Sequence, residues 1–441
     1  MIRPKHFLLL AVLACWFGLA PFAVAAFTGS VFLPIVQQPI RPWPDTTDAI
    51  GVFNDQIDVR ALTEAQFQFA ATRYAGSQKQ TRAEASHLRQ YNPNYLVLHY
   101  RLGQALGNSA PDANCNPTAS FTQIIDGNNW VQEWPGDGAV QENWFFHYLN
   151  GSQREFQCIY GHYLANLDDP GWRTWWSDQV IQQLQDNLDD GVFADSYSIP
   201  NYLGPWKPAL PAVDPTFESQ WAAREHSFSD YIRARFTGRW KWIPNIGAFI
   251  TTRDPSDYSN LDGAMIEGFA EWGSGSYFDP GDWILQQNRI LALVRAGKIL
   301  IGQTYPSQAN VDERLFILGT YLLVKGSSTY INLETSMVPE WFPEYGLNLG
   351  APLDPLPGDI SSYRNPAWGV YVRHYSRGMV LVNPEAASHT INLGATYMRA
   401  VPSGGGPVPA SGVAHGSLSY QSTAALTLAP HQAAILLNQA P

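Results

Sequence analysis

Short runs of apolar and β-branched residues alternate along most of the chain with longer stretches in which apolar side chains recur every three or four positions. The short runs fall at 67–74, 95–101, 144–149, 191–197, 241–247, 263–269, 298–305 and 328–333. Several are apolar at successive positions, as parallel strands covered by helices on both sides are. A further run at 51–57 reads as a short strand outside this repeat. The longer stretches predict helices over 171–188, 218–236, 282–296 and 311–324. In the first, Trp172, Trp176, Val180, Leu184 and Leu188 recur every four residues and form a core-facing stripe. Asp168-Asp169-Pro170 stands before it, a capping carboxylate followed by a residue whose φ is already helical. Eight strands alternating with helices predict an α/β fold, a (β/α)8 TIM barrel over 67–340. An open doubly wound sheet is the rival, and no Gly-rich phosphate loop supports it.

The pattern changes toward both ends. Residues 341–366 are rich in Pro and Gly and read as a linker, and 367–441 alternates in short strands without helical periodicity. That predicts a small C-terminal antiparallel β-sandwich. Residues 27–66 form a Pro-rich N-terminal lead. Before it, Arg3 and Lys5, the apolar stretch 7–20 and Ala23-Val24-Ala25 spell a secretory signal peptide over 1–26. An uncleaved anchor is the alternative, since 7–27 carries no charge. Leu13-Ala14-Cys15 is a faint lipoprotein box.

Only 15% of residues are charged and 13% are aromatic, which excludes disorder, and the single long apolar run excludes a polytopic membrane protein. The net charge of −11 argues against nucleic acid or an anionic membrane as a partner. Loss of Arg3 and Lys5 with the signal makes the mature chain more acidic still. The expected product is an exported monomer, periplasmic or extracellular. After cleavage Cys115 and Cys158 remain, and an even pair in an oxidising compartment reads as one disulfide, with two buried thiols as the alternative. The chain has no C-x-x-C and no H-x-H, so no metal and no cofactor is expected.

Two predicted strands share one grammar. Asp190-Gly-Val-Phe-Ala-Asp195 and Asp262-Gly-Ala-Met-Ile-Glu267 each begin with Asp-Gly and end in a carboxylate five residues later. This places Asp195 and Glu267 at the C-terminal mouth of the fourth and sixth strands, where barrel enzymes keep their chemistry. Paired carboxylates suit glycosidic cleavage: one protonates the leaving oxygen, the other attacks the anomeric carbon or activates water. Other strand ends are polar or aromatic: Tyr74, His99, Arg101, His147 and Tyr197 in the first half, then Asn245, Trp272, Gln303, Tyr305, Asn332 and Glu334. They are the substrate-binding candidates, because sugars offer hydroxyls to hydrogen bond and C–H faces to stack. Trp130, Trp134 and Trp206 are candidate sugar platforms in the loops. Cys115 and Cys158, in loops after the second and third predicted strands, would brace the mouth.

At Asp190-Gly-Val-Phe-Ala-Asp195-Ser-Tyr197 the chain resembles the glycoside-hydrolase-like barrels related to endo-α-1,4-polygalactosaminidases and, more distantly, the α-galactosidase clan. In those families the strand-4 motif reads D-G-[VI]-x-x-D. The resemblance implies Asp195 as nucleophile, Glu267 as acid/base, retention of configuration and a carbohydrate substrate. The polygalactosaminidase pattern continues with Asn where this chain has Ser196, so the resemblance does not carry the amino-sugar specificity. The expected function is an exported glycoside hydrolase. A carbohydrate-binding barrel without catalysis and a transglycosidase using the same carboxylates are the alternatives.

Overall fold

The computed structural model describes residues 40–57, 61–107, 110–118 and 140–440. The signal segment, Trp130 and Trp134 lie outside them. Eight parallel strands form one barrel: β1 (Gly51–Gln56), β2 (Gly76–Gln78), β3 (Leu96–Leu102), β4 (Gly191–Asp195), β5 (Lys241–Pro244), β6 (Gly263–Glu267), β7 (Ile299–Thr304) and β8 (Thr329–Leu333). They pair in the order β6-β7-β8-β1-β2-β3-β4-β5. A parallel bridge between Asn245 and Met265, with Ile246 N donating to Met265 O at 3.1 Å, joins the two ends.

Strand side chains alternate with a period of two, so one inward residue fixes the phase of its strand. Phe53, Leu98, Phe193, Ile243, Met265, Ile301 and Tyr330 pack together inside the barrel. Val52, Val97, Val192, Trp242, Ala264 and Leu300 face the helices. Two steps along the inward phase lead from Phe53 to Asp55, Leu98 to Tyr100, Phe193 to Asp195, Ile243 to Asn245, Met265 to Glu267, Ile301 to Gln303 and Tyr330 to Asn332. The barrel thus lifts one polar residue from most strands to a common level at its C-terminal end.

The paired Asp-Gly motifs prove to be a device of the opposite end. Asp190 accepts from Val97 N at 2.8 Å and pairs with Arg41 and Arg89 at 2.9 Å each. Asp262 accepts from Trp242 N at 3.0 Å and faces Arg233 at 3.3 Å. A Cβ at Gly191 would lie 2.4 Å from Lys241 O, and one at Gly263 would lie 2.5 Å from Ile299 O. The Asp satisfies a neighbouring strand, and the Gly lets that strand come close.

Among the described residues six helices cover the outside: α1 (Glu64–Arg73), α2 (Arg82–Tyr91), α3 (Pro170–Asn187), α4 (Pro215–Phe236), α5 (Pro280–Arg295) and α6 (Val311–Val324). Asp169, Asp214 and Asp279 each cap a helix whose first residue is Pro. Trp172, Trp176, Val180 and Leu184 of the predicted stripe are buried, while Leu188 is half-buried in the left-handed C-cap of α3.

Two predicted strands are corrected. Residues 67–74 lie in α1 and its C-cap, because Thr63 and Gln66 form a capping box that starts a helix there. Residues 144–149 fall on short 3₁₀ segments, Glu142–Trp144 and Tyr148–Asn150, within one long connection from β3 to α3. The true first strands are β1, which the apolar pattern places outside the repeat, and β2, three residues long. The two changes cancel in number, so Asp195 and Glu267 still end the fourth and sixth strands.

Residues beyond β8 continue into the same body, with Phe342, Tyr345, Leu347, Leu349, Ile360 and Tyr363 buried along 341–366. The C-terminal strands β9 (Tyr371–Tyr375), β10 (Gly378–Asn383), β11 (His389–Ser403), β12 (Ser417–Leu428) and β13 (Gln432–Leu437) form one antiparallel sheet ordered β9-β10-β13-β11-β12. One face puts Val380, Val382, Ala433 and Ile435 into the barrel's outer core. On the other face the β11–β12 hairpin folds back, so Ile391, Leu393, Leu426 and Leu428 cover Val372, Met379, Leu381 and Leu436. The sandwich is one sheet folded over itself at the register break between Asn392 and Tyr397.

Candidate active site

Asp195 and Glu267 meet at the mouth through a shared neighbour. Asn245 Nδ2 donates to Asp195 Oδ1 at 2.9 Å and to Glu267 Oε2 at 2.5 Å. Those two distances cap the separation of the oxygens at 5.4 Å. Asn245 is itself fixed, because its Oδ1 accepts from Gly247 N at 3.0 Å. The remaining carboxylate oxygens each meet a phenol: Tyr100 Oη donates to Asp195 Oδ2 at 2.8 Å, and Tyr305 Oη donates to Glu267 Oε1. Ser196 N closes the set on Asp195 Oδ1 at 2.7 Å.

Electrostatically the two acids differ. Burial, then the charge of Asp195, pushes the Glu267 carboxyl above the ordinary glutamate range, while donors from Tyr305 and Asn245 oppose the rise. Burial and the neighbouring carboxylates push the Tyr100 and Tyr305 phenols well up, so both remain proton donors.

The pair opens into a cavity of about 770 Å³. The loops after β4 and β5 supply Ser198, Asn201, Tyr202, Phe249 and Arg253, and Tyr160 and Trp272 stand on its edge. Tyr160 is 59% exposed and Trp272 56%, unusual for large rings. His162 also lines the cavity, and burial pushes it down to about 4, so it is neutral at physiological pH. Tyr160 and His162 belong to the β3–α3 connection, which the Cys115–Cys158 disulfide ties down with a Cα–Cα distance of 5.0 Å. Both cysteines lie in this one connection rather than in two successive loops. Among the described residues no His, Cys, Asp and Glu cluster is arranged to hold a metal ion.

Of the predicted binding residues, Asn245, Trp272 and Tyr305 line the cavity. Gln303, Asn332 and Glu334 lie just below it in a buried network: Gln303 Nε2 donates to Tyr305 Oη at 2.8 Å, and Asn332 Nδ2 reaches Gln303 Oε1 at 3.2 Å and Glu334 Oε2 at 3.1 Å. The others are elsewhere. His99 and Arg101 are on the outward phase of β3, where both meet Gln183 of α3, at 2.9 and 3.3 Å. Tyr74 caps α1 and bonds the backbone of Glu340 at 2.6 Å. His147 pairs with Glu142 at 3.1 Å. Tyr197 is turned away by the positive φ of Ser196, 56°, and donates to Glu225 O in the core. Trp206 is buried against Pro200 O and is no platform.

Sequence reasoning missed Tyr100, Tyr160, Asp55 and Lys79 as site components. Asp55 accepts from Gln78 and from Gln303 Nε2, the latter at 3.2 Å, and pairs with Lys79 at 3.1 Å. Lys79 Nζ lies 5.0 Å from the centre of the Tyr100 ring. The alternation of β3 around Leu98 was the available signal for Tyr100. Nothing marks Asp55 while its strand is read as lying outside the repeat.

Solved structures match the chain at low identity. A Paenibacillus cycloisomaltooligosaccharide glucanotransferase with bound cycloisomaltoheptaose is 12% identical over 89% of this chain, with a TM-score of 0.38. The chain spans 55% of that protein's length. Arthrobacter globiformis T6 isomalto-dextranase with panose is 13% identical over 90% of this chain and 74% of its own, with a TM-score of 0.43. The Thermotoga neapolitana maltogenic α-amylase AmyB is 10% identical over 88% and 98%, with a TM-score of 0.41. No curated protein matches the chain. The profile of hypothetical glycosyl hydrolase family 15 matches residues 89–379, about two thirds of the chain, from α2 to β10 and across both carboxylates. The chain therefore belongs to hypothetical glycosyl hydrolase family 15.

Proposed function

We propose that the protein is an exported, retaining glycoside hydrolase in which Asp195 is the nucleophile and Glu267 the acid/base. The observation that carries this reading is the Asn245 amide held between the two carboxylates. With their facing oxygens at most 5.4 Å apart, the carboxylates lie nearer the close spacing of retaining enzymes, about 5–5.5 Å, than the roughly 6.5–9.5 Å of inverting ones, which supports direct attack by one carboxylate. The donors on Asp195 hold it in place facing the cavity. The raised Glu267 carboxyl retains a proton to give to the departing glycosidic oxygen.

The same coupling resets the site for the second half-reaction. Once Asp195 is esterified its negative charge is gone, and with it one cause of the Glu267 rise. Glu267 then ionises more readily and serves as base for the water that releases the sugar. Tyr160 and Trp272 offer exposed faces on which sugar rings stack. Export is supported by the N-terminal signal pattern and by the disulfide.

The test is turnover of a glycan panel by the purified protein beside Asp195→Asn and Glu267→Gln, with product anomers followed by NMR. Each variant is expected to lose at least about 10³-fold in kcat, and the first product is expected to keep the substrate's anomeric configuration. Equal activity in all three proteins overturns the assignment, and an inverted product overturns retention.

A further inference from the structure

The mouth is ringed by inward side chains from most of the strands, and Asp55, Gln303 and Asn332 lie in the ring without lining the cavity. Gln303, on the inward phase of β7, is 1% exposed and has three hydrogen-bond partners. Its Nε2 donates to Asp55 Oδ2 at 3.2 Å and to Tyr305 Oη at 2.8 Å, and its Oε1 accepts from Asn332 Nδ2 at 3.2 Å. Both directions are forced from outside. Asp55, paired with Lys79, is a carboxylate and only accepts, so it must face the amide nitrogen. Asn332 spends its other N–H on Glu334 Oε2 at 3.1 Å, so it presents a donor to the amide oxygen.

A phenol has one hydrogen. Because Tyr305 Oη receives an N–H from Gln303, its own hydrogen is left for Glu267 Oε1. Were the Gln303 amide turned over, Tyr305 would donate to the amide oxygen and Glu267 would lose that donor. We propose that Gln303, oriented by Asp55 and Asn332, is a positioning residue that makes Tyr305 a one-way hydrogen-bond donor to Glu267. This deepens the acid/base reading and rests on it for its catalytic meaning. Glu267 must release and regain a proton in every cycle, and a donor committed to its ionised form keeps that exchange accessible in a buried site. The groups facing Glu267 are Asp195 from β4, Tyr100 from β3, Asp55 from β1 with Lys79 after β2, Tyr305 after β7 with Glu334 behind it, and Tyr160 and His162 from the β3–α3 connection. Of these, Gln303 bonds Asp55 and Tyr305, and of those two only Tyr305 donates to Glu267 in turn.

The test reads Glu267 directly. Protein labelled with ¹³C at glutamate carboxyls is titrated by NMR, and the Glu267 resonance is assigned by its loss in Glu267→Gln. Gln303→Met and Tyr305→Phe are each expected to raise the midpoint of the Glu267 titration by about 0.5–1 on the pH scale. The double variant is expected to match Tyr305→Phe alone, as required if Gln303 acts through Tyr305. An unmoved midpoint in Gln303→Met, or increments that add in the double variant, overturns the proposal. Should Gln303→Met fail to fold, Asn332→Leu removes the restraint on the amide oxygen and must raise the midpoint likewise. The titration needs no substrate. A protein that shows the coupling but cuts no glycan refutes the proposed hydrolase while leaving the positioning role intact.

Discussion

At the scale of single residues, Glu267 sets function against stability. Its carboxyl is held up by burial and by Asp195, so the folded chain keeps a proton there over a pH range in which the unfolded chain has released it. Stability contributed at this site is therefore present below the ordinary glutamate value of 4.5 and is lost as pH rises through the folded value. Glu267→Gln removes the titration and keeps the shape. In paired thermal melts, the melting temperature of Glu267→Gln relative to the unaltered protein is expected to improve by about 1–3 °C between pH 4 and pH 7. A constant difference across that range would show that Glu267 titrates alike in both states. The carboxylates themselves were legible, because Asp195 and Glu267 follow three apolar residues on strands of equal phase. Their partners were harder to read. His99, Tyr100 and Arg101 are consecutive and all polar or amphipathic, and only the inward position of Leu98 tells which one reaches the site.

At the scale of elements, two connections build the mouth by different means. The β3–α3 connection has little regular structure, and its short strands Phe156–Gln157 and Tyr163–Leu164 pair with Ala105–Leu106 and with Trp206–Lys207 from the β4–α4 loop. The disulfide restrains it and presents Tyr160. The loop after β6 is pinned from below instead: Gln286 of α5 donates to Gly268 O at 2.9 Å and accepts from Ala270 N at 2.8 Å, and Trp272 projects from that base. If both rings are sugar platforms, Tyr160→Ala and Trp272→Ala are each expected to raise KM about 3- to 10-fold with little change in kcat. Steady-state kinetics on a cleaved glycan check this, and a fall in kcat at constant KM would place the rings in the chemistry instead. Long helices with Asp-Pro starts were readable because cap and periodicity agree. Short elements were not: β2 has three residues, too few for a period, and the Phe67 and Phe69 alternation imitates a strand inside α1.

At the scale of the whole molecule, the C-terminal sheet reads as part of the barrel's stability rather than as an appended module. Arg373 of β9 is buried, and its Nη1 donates to the carbonyls of Leu322, Leu323 and Lys325, at 3.0, 3.1 and 2.8 Å. These are among the last carbonyls of α6, which lack intrahelical partners, and a cation is favoured at that end of the helix dipole. The sheet thus caps the helix that joins β7 to β8, and β7 carries Gln303. Composition separates the two regions clearly, since strand alternation replaces helical periodicity after residue 366. It gives no hint of the joint, because a lone Arg in a strand looks like a solvent-facing residue. Arg373→Met keeps much of the side-chain volume but takes that donor from the Leu323 and Lys325 carbonyls, while Leu322 O keeps the Tyr375 hydroxyl. A loss of about 2–4 kcal/mol is expected from the denaturant midpoint. If sheet and barrel unfold as one unit, calorimetry of the unaltered protein gives a single transition, and Arg373→Met moves it down whole. Two transitions, with only the smaller displaced, would mean that the sheet folds separately and that Arg373 serves the sheet alone.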